Sequence, residues 1–149
     1  MNTIEVKIKR LNKYAIIPTK GSKDAMGMDL YAAMEDDDVV IIPPHETRII
    51  GTGLSIELPQ GTFGAIFARS GLASKQGLRP ANCVGACDSD YRGEYKVALH
   101  NDLDEPTCVT RGDRIAQLSV LPFIPVNFEE TDELSETERG NGGFGSTGK

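Results

Sequence analysis

The chain has 149 residues, 39% of them apolar and 26% charged, the size and balance of one globular domain, which argues against global disorder. Lys and Arg number 16 against 22 Asp and Glu, a net charge of −6, so a sequence-independent grip on nucleic acid, which needs a basic face, is not expected. No apolar run approaches the roughly 18 residues of a membrane helix, and Met1–Lys7 lacks the apolar core of a secretory signal, so no membrane association and a soluble, cytoplasmic location are expected.

Along the chain, Ile4, Val6 and Ile8 alternate with polar residues, as a half-buried strand should. Further short apolar runs follow at Ala15–Ile17, Leu30–Ala33, Val39–Ile42, Thr47–Ile50, Leu54–Leu58, Phe63–Ala68, Tyr95–Leu99, Thr107–Val109 and Ile115–Leu121. Gly and Pro separate them, at Gly21, Pro43-Pro44, Gly51, Gly53, Pro59-Gln60-Gly61, Gly93, Pro106, Gly112 and Pro122. A turn signal every ten or so residues, with β-branched residues between, predicts an all-β barrel or sandwich. Ile115–Leu121 also has the propensity of a helical turn. Glu35-Asp36-Asp37-Asp38 reads as a solvated turn, because successive carboxylates on an extended chain point in different directions and make a poor metal cage. Cys83, Cys87 and Cys108 are an odd count, a poor disulfide framework, and together with His100 lack the paired spacing of a zinc site. From Glu129 onward the apolar pattern stops. Six acidic residues fall between Glu129 and Glu138, and a Gly-rich end follows. Residues 1–128 are therefore expected to form the β domain, and 129–149 an extended, mobile tail with no core of its own.

Three stretches carry chemistry. Gly143 to Lys149 matches G-x-x-x-x-G-K, the start of a phosphate-binding loop, but the hydroxyl residue and helix that should follow Lys149 are not in the sequence, so an ATPase reading is set aside. Its glycines still let the backbone wrap an anion, Arg139 and Lys149 bring charge, and Phe144 adds a flat apolar face. Arg69-Ser70-Gly71 follows an apolar strand and can offer a guanidinium, a hydroxyl and free backbone N–H groups. Asn82–Glu94 reads as a hairpin, with a donor-acceptor amide at Asn82 suited to a base edge and a carboxylate at Asp88 whose partial burial would suit a general base. His45 and His100 are the only histidines, and nothing beside them marks a hydrolase triad.

Five segments in order resemble the motifs of the trimeric deoxyuridine triphosphate nucleotidohydrolase (dUTPase) family. They are Ala25-Met26-Gly27-Met28-Asp29-Leu30-Tyr31-Ala32, Arg69-Ser70-Gly71-Leu72-Ala73, Gly85–Glu94 with Asn82 upstream, Gly112-Asp113-Arg114-Ile115-Ala116-Gln117-Leu118, and Arg139–Gly148. The resemblance spans nearly the whole chain, and five motifs in order are far more specific than any one of them.

The resemblance implies a jelly-roll β-barrel that assembles as a homotrimer, each active site drawing on all three subunits with the tail of one closing over it. It implies hydrolysis of dUTP to dUMP and pyrophosphate, which limits uracil incorporation into DNA and supplies dUMP for thymidylate synthesis. Mg2+ would be held by the substrate's phosphates and water rather than by protein ligands. By position, Asp88 resembles the general base that activates water for attack on the α-phosphorus. Asn82, with the backbone of Gly85 and Ala86, resembles the uracil-reading hairpin, and Tyr91 the residue packed on deoxyribose. Arg69, Ser70, Gly71 and Gln117 resemble phosphate contacts from a neighbouring subunit. Arg139 resembles the γ-phosphate ligand, Phe144 the ring stacked on uracil, and Gly145, Ser146 and Thr147 the phosphate-wrapping tail. Asp29 resembles a structural or metal-water position, and Asp113 and Arg114 a packing or salt-bridge pair.

Two positions depart from the family pattern. Cys87 stands where a β-branched aliphatic is usual, a swap that would expose the site to thiol reagents, and Met26 replaces a smaller residue. A dCTP deaminase of the same fold would need a catalytic Glu near the second motif, and none lies between Phe63 and Asp88. A non-enzymatic binder could dispense with Asp88, Tyr91 or the tail, and this chain keeps all three.

Overall fold

The β-branched runs between the Gly and Pro turns become twelve strands and one short helix, in a computed structural model that describes residues 3–143. Every strand pairing is antiparallel. β1 (Lys7–Arg10) pairs with β6 (Leu54–Glu57), and β4 (Val39–Ile42) with β11 (Thr107–Thr110). A three-stranded sheet runs β5 (Thr47–Gly51), β10 (Lys96–Asn101), β8 (Leu78–Pro80). The largest sheet runs β2 (Thr19–Lys20), β3 (Met28–Tyr31), β12 (Arg114–Pro122), β7 (Thr62–Phe67), β9 (Gly85–Asp88). Strands distant in sequence thus lie side by side, in a jelly-roll-like barrel closed around one core. Leu30, Ile42, Ile50, Leu54, Leu99, Ile115 and Leu118 are buried there with Tyr95. Each such side chain contributes about 1.5–3 kcal/mol relative to an exposed one.

Ile115–Leu121 is strand throughout, inside the nine residues of β12. Its helical propensity loses because β12 is the middle of the five-stranded sheet, with β3 on one side and β7 on the other. The Arg69–Ala73 turn instead begins a helix, α1 (Ser70–Gln76), closed by Gly77 at φ 60, where a Cβ would strike Leu103 Cγ at 2.6 Å. Leu72–Gln76 followed by Gly is a helix-stop pattern that the sequence does carry. Ala15–Ile17 forms no strand. Asn12 holds the preceding bend, donating from Nδ2 to the Ala33 carbonyl at 3.0 Å and accepting from the Tyr14 amide at 2.9 Å.

The acidic 35–38 turn is ordered by Arg111. Its guanidinium donates to the carbonyls of Met34, Glu35 and Asp37 and to the Asp38 carboxylate, and it lies 3.7 Å from the centre of the Tyr14 ring. After β12 no strand follows among the described residues. Ile124, Val126 and Phe128 stand 85%, 65% and 98% exposed on alternate positions, in a segment that pairs with no strand among the described residues. An apolar cavity of about 240 Å³ opens on the barrel between Ile4, Val6, Ile8, Ile17, Ile56 and Val120.

Candidate functional site

The richest concentration of predicted residues sits on β9 and the hairpin that follows it. Register with β7 sets Ala86 opposite Ala65 and Asp88 opposite Phe63, so Asp88 marks the end of the paired strand. The chain then turns, with the Tyr91 amide donating to the Asp88 carbonyl at 3.1 Å and Arg92 Nη1 donating to the Ser89 carbonyl at 2.7 Å. The hairpin is tied down on the bend between β5 and β6. Ser55 Oγ donates to the Arg92 carbonyl at 2.7 Å, the Tyr95 amide to the Leu54 carbonyl at 2.7 Å, and the Gly53 amide to Glu94 Oε1 at 2.8 Å. Upstream, Cys83 adopts φ 60, the left-handed region, and turns the chain between Asn82 and β9.

This folding brings Asn82, Ala86, Asp88 and Tyr91 together around an open cavity of about 360 Å³, with Tyr95 and Lys96 in its wall. The volume suits a small polar ligand. Gly85 is buried behind it, where a Cβ would approach Ile66 Cβ to 3.2 Å. Asp88 is exposed rather than partly buried, because the strand end projects between this cavity and a second one lined by Ser89, Asp90, Arg92 and Phe123. Its carboxylate makes no hydrogen bond or ion pair with the described residues and opens onto both cavities. The half-buried Cys87 thiol is pushed up by burial first and by the neighbouring Asp88 charge second, which suppresses the thiolate. That runs against the thiol sensitivity expected of Cys87. Tyr95 lies wholly within the core, and its hydroxyl, also pushed well up by burial, has no hydrogen-bond partner among the described residues. The Cys87 thiol is a near neighbour of that hydroxyl, but the two do not meet hydrogen-bond geometry.

A second cluster gathers elsewhere on the barrel. Asp29 of β3 is buried, and each of its oxygens accepts from an arginine: Oδ1 from Arg69 Nε at 2.8 Å, Oδ2 from Arg114 Nη1 at 3.2 Å. Arg69 also donates to the Arg114 carbonyl, and Gln117 Nε2 donates to the Ala68 carbonyl at 2.8 Å. Ser70 and Gly71 stand exposed at the start of α1. With both oxygens engaged by arginines, Asp29 serves as the pin that orients two guanidiniums; Arg114, expected with Asp113 in packing or a salt bridge, pairs with Asp29, while the Asp113 carboxylate accepts from the Thr110 amide at 2.8 Å. Arg69 and Arg114 line a cavity of about 210 Å³ that shares no residue with the one at Asp88. The single chain therefore carries these two groups of residues in separate cavities. Arg139, in the tail, folds back on itself and donates from Nε to the Gly142 carbonyl at 2.7 Å. Phe144, Gly145, Ser146, Thr147 and Lys149 lie outside the described residues. Among the described residues no three His, Cys, Asp or Glu side chains converge as a metal cage would require.

The sequence places Gly93 and Glu94 in the hairpin and Tyr95 at the start of the returning strand, but by itself assigns no role to any of the three. The signal available was the Gly-Glu-Tyr run at the return of the turn, but which group each touches depends on the β5–β6 bend some forty residues earlier.

Comparison with known proteins gives one consistent result. The dUTPase family matches residues 13–148. The deoxyuridine 5'-triphosphate nucleotidohydrolase of Corynebacterium glutamicum is 48% identical over 145 residues, covering 97% of this chain and 95% of that protein. The enzyme of the same name from Desulfitobacterium hafniense is 50% identical over 151 residues, covering 99% of both chains. Among solved structures, Staphylococcus bacteriophage 80alpha dUTPase with dUPNHPP superposes with a TM-score of 0.89 at 27% identity, covering 99% of this chain and all of that one.

Proposed function

Since the chain belongs to the dUTPase family, we propose that it hydrolyses dUTP to dUMP and pyrophosphate, with Asp88 as the base that takes the proton of the attacking water. The observation that carries this reading is the unpartnered Asp88 carboxylate at the mouth of the cavity lined by Asn82, Ala86 and Tyr91. In this reading the Asn82 amide and the backbone of Gly85 and Ala86 read the uracil edge. The Tyr91 ring packs on the deoxyribose, where a 2′-hydroxyl would collide. Asp88 accepts a proton from a water aligned with the α-phosphorus, and the charge of the departing pyrophosphate must be neutralised by groups fixed in advance. Arg69, held by Asp29, keeps donors free for a phosphate oxygen. Ser70, Gly71 and Gln117 join it. Arg139, Phe144, Gly145, Ser146 and Thr147 supply the closing tail.

The two separate cavities on one chain support a homotrimer, in which the Asp88 cavity of one subunit meets the Arg69 cluster of another. The alternating exposed Ile124, Val126 and Phe128 and the apolar cavity at Ile4–Ile8 support the same arrangement, since association would remove both from water. Residues 1–128 then act as the barrel and 129–149 as the arm. Mg2+, carried on the triphosphate oxygens and water, would neutralise phosphate charge when bound, as suits an ion that keeps most of its water and takes few protein ligands. The net charge of −6 fits an enzyme that does not hold nucleic acid through a basic face, and no helix among the described residues is long and apolar enough to cross a membrane.

Pyrophosphate release from dUTP, dCTP, dTTP and UTP, with and without Mg2+, tests the proposal on the full chain, on Asp88→Asn and on a chain ending at Glu138. Release is expected from dUTP alone. Asp88→Asn should lower it about 10²–10⁴-fold with nucleotide binding kept, and the shortened chain should turn over slowly while still trimeric. Equal release from all four nucleotides, or an Asp88→Asn variant of undiminished activity, would overturn it.

A further inference from the structure

The Tyr91 side chain is 45% exposed, yet its ring is boxed on three sides. Below it lies the ring of the fully buried Tyr95, centroid to centroid 6.1 Å and tilted by 37°, within the range of favourable aromatic pairs. At its tip, the Tyr91 hydroxyl donates to the Glu94 carbonyl at 3.1 Å. At its side lies Gly93, where a Cβ would press on the Tyr91 hydroxyl and come within 2.5 Å of Cζ and 2.8 Å of Cε2. Gly93 has no positive φ to explain it. Its lack of a side chain is required by the Tyr91 ring and not by the backbone. The floor is itself fixed, since the Tyr95 amide bonds to Leu54 and the Glu94 carboxylate accepts from the Gly53 amide and pairs with Lys96 Nζ at 3.3 Å.

We propose that Gly93 and Tyr95 are positioning residues that hold the Tyr91 ring in the one orientation from which it rejects a ribonucleotide sugar. This rests on the dUTP reading and on Tyr91 as the residue that packs against the deoxyribose. A sugar filter that works by collision needs a wall that cannot yield. An exposed tyrosine free to rotate about χ1 would swing aside and admit a 2′-hydroxyl. The support comes from the Tyr95 ring, which faces Tyr91, and not from its hydroxyl, which has no hydrogen-bond partner among the described residues.

The test is the ratio of kcat/KM for dUTP to kcat/KM for UTP, a quantity that a general loss of stability lowers in both members alike. Gly93→Ala should fold, because the added methyl displaces the outer end of an exposed side chain and not backbone, and should lower the ratio at least tenfold. Tyr95→Leu should lower it comparably, whereas Tyr95→Phe, which keeps the ring, should stay within twofold of the parent. In a Tyr91→Ala background, where no ring remains to be placed, Gly93→Ala should have no further effect on the ratio. If Tyr91→Ala lowers the ratio while Gly93→Ala and Tyr95→Leu leave it unchanged, the positioning role is wrong and the sugar reading of Tyr91 stands. If Tyr91→Ala itself leaves the ratio unchanged, that reading fails and takes the inference with it.

Discussion

Asn101 is a polar residue of the core whose removal should weaken the scaffold under the site. It closes β10, is 0% exposed, and its amide ties that strand end to two stretches of backbone, at 42–43 and 103–105. Nδ2 faces the carbonyls of Ile42 at 3.1 Å, Pro43 at 3.2 Å and Glu105 at 2.8 Å, while Oδ1 accepts from the Leu103 amide at 3.0 Å. A side-chain amide has two hydrogens, so one of the three carbonyls shares a donor, and the full count is three hydrogen bonds. At about 1 kcal/mol net for each, Asn101→Ala should cost about 3 kcal/mol, with more if a buried carbonyl is left dry. Against a stability of ~5–15 kcal/mol this is a large fraction. At about 2–4 °C per kcal/mol it lowers the melting temperature by roughly 6–12 °C. The backbone bonds between Asn101 and residues 45 and 46 survive the change, so the fold should persist. The assay is equilibrium urea unfolding at one fixed protein concentration, since association contributes to the apparent stability. Asn101→Asp should be worse at neutral pH, because a carboxylate only accepts and would face three carbonyls. Those carbonyls raise its folded-state pKa, so this variant should recover as the pH falls. A loss below about 1 kcal/mol for Asn101→Ala would refute the reasoning.

Two further outcomes are expected. With iodoacetamide at mildly alkaline pH, the exposed Cys83 and Cys108 should be alkylated well before Cys87, whose thiol is pushed up by burial and by Asp88. Peptide mass spectrometry reads the order, and equal labelling of Cys87 would refute it. Arg79 donates to both oxygens of Asp102, at 2.7 and 2.9 Å, and so holds that carboxyl below its ordinary value of 3.8. A depressed folded-state value stabilises above the unfolded one and is lost as the pH falls through the folded value. The urea midpoint of Arg79→Met should therefore lie below the parent's at pH 7 and meet it once the pH drops well under 3.8. The gap should be modest because the pair is largely exposed. A gap undiminished at low pH would show packing, not charge, to be its source.

Much of the barrel was legible in the residues because strand signals are local. Val39–Ile42 forms a strand with the predicted bounds, and Thr47–Gly51, Leu54–Glu57 and Thr107–Thr110 differ from prediction by one residue at the C-terminal end. α1 was missed because Arg69-Ser70-Gly71 reads equally as a turn, and only Gly77 six residues later marks its end. Arg111 went unnoticed because its partners, at Tyr14 and residues 34–38, lie more than seventy positions away.

Residue type and order by themselves determined the all-β class, the family and the groups with chemistry to offer, since alternation, turn residues and motif spacing are written along the chain. Only the tertiary structure decided how those groups meet. It set Asp88 bare at a strand end, bound Asp29 between two arginines, and placed Tyr91 over Gly93 and Tyr95. The reason is that a side chain's type travels with the sequence, whereas its partners come from strands that antiparallel pairing carries together across dozens of residues.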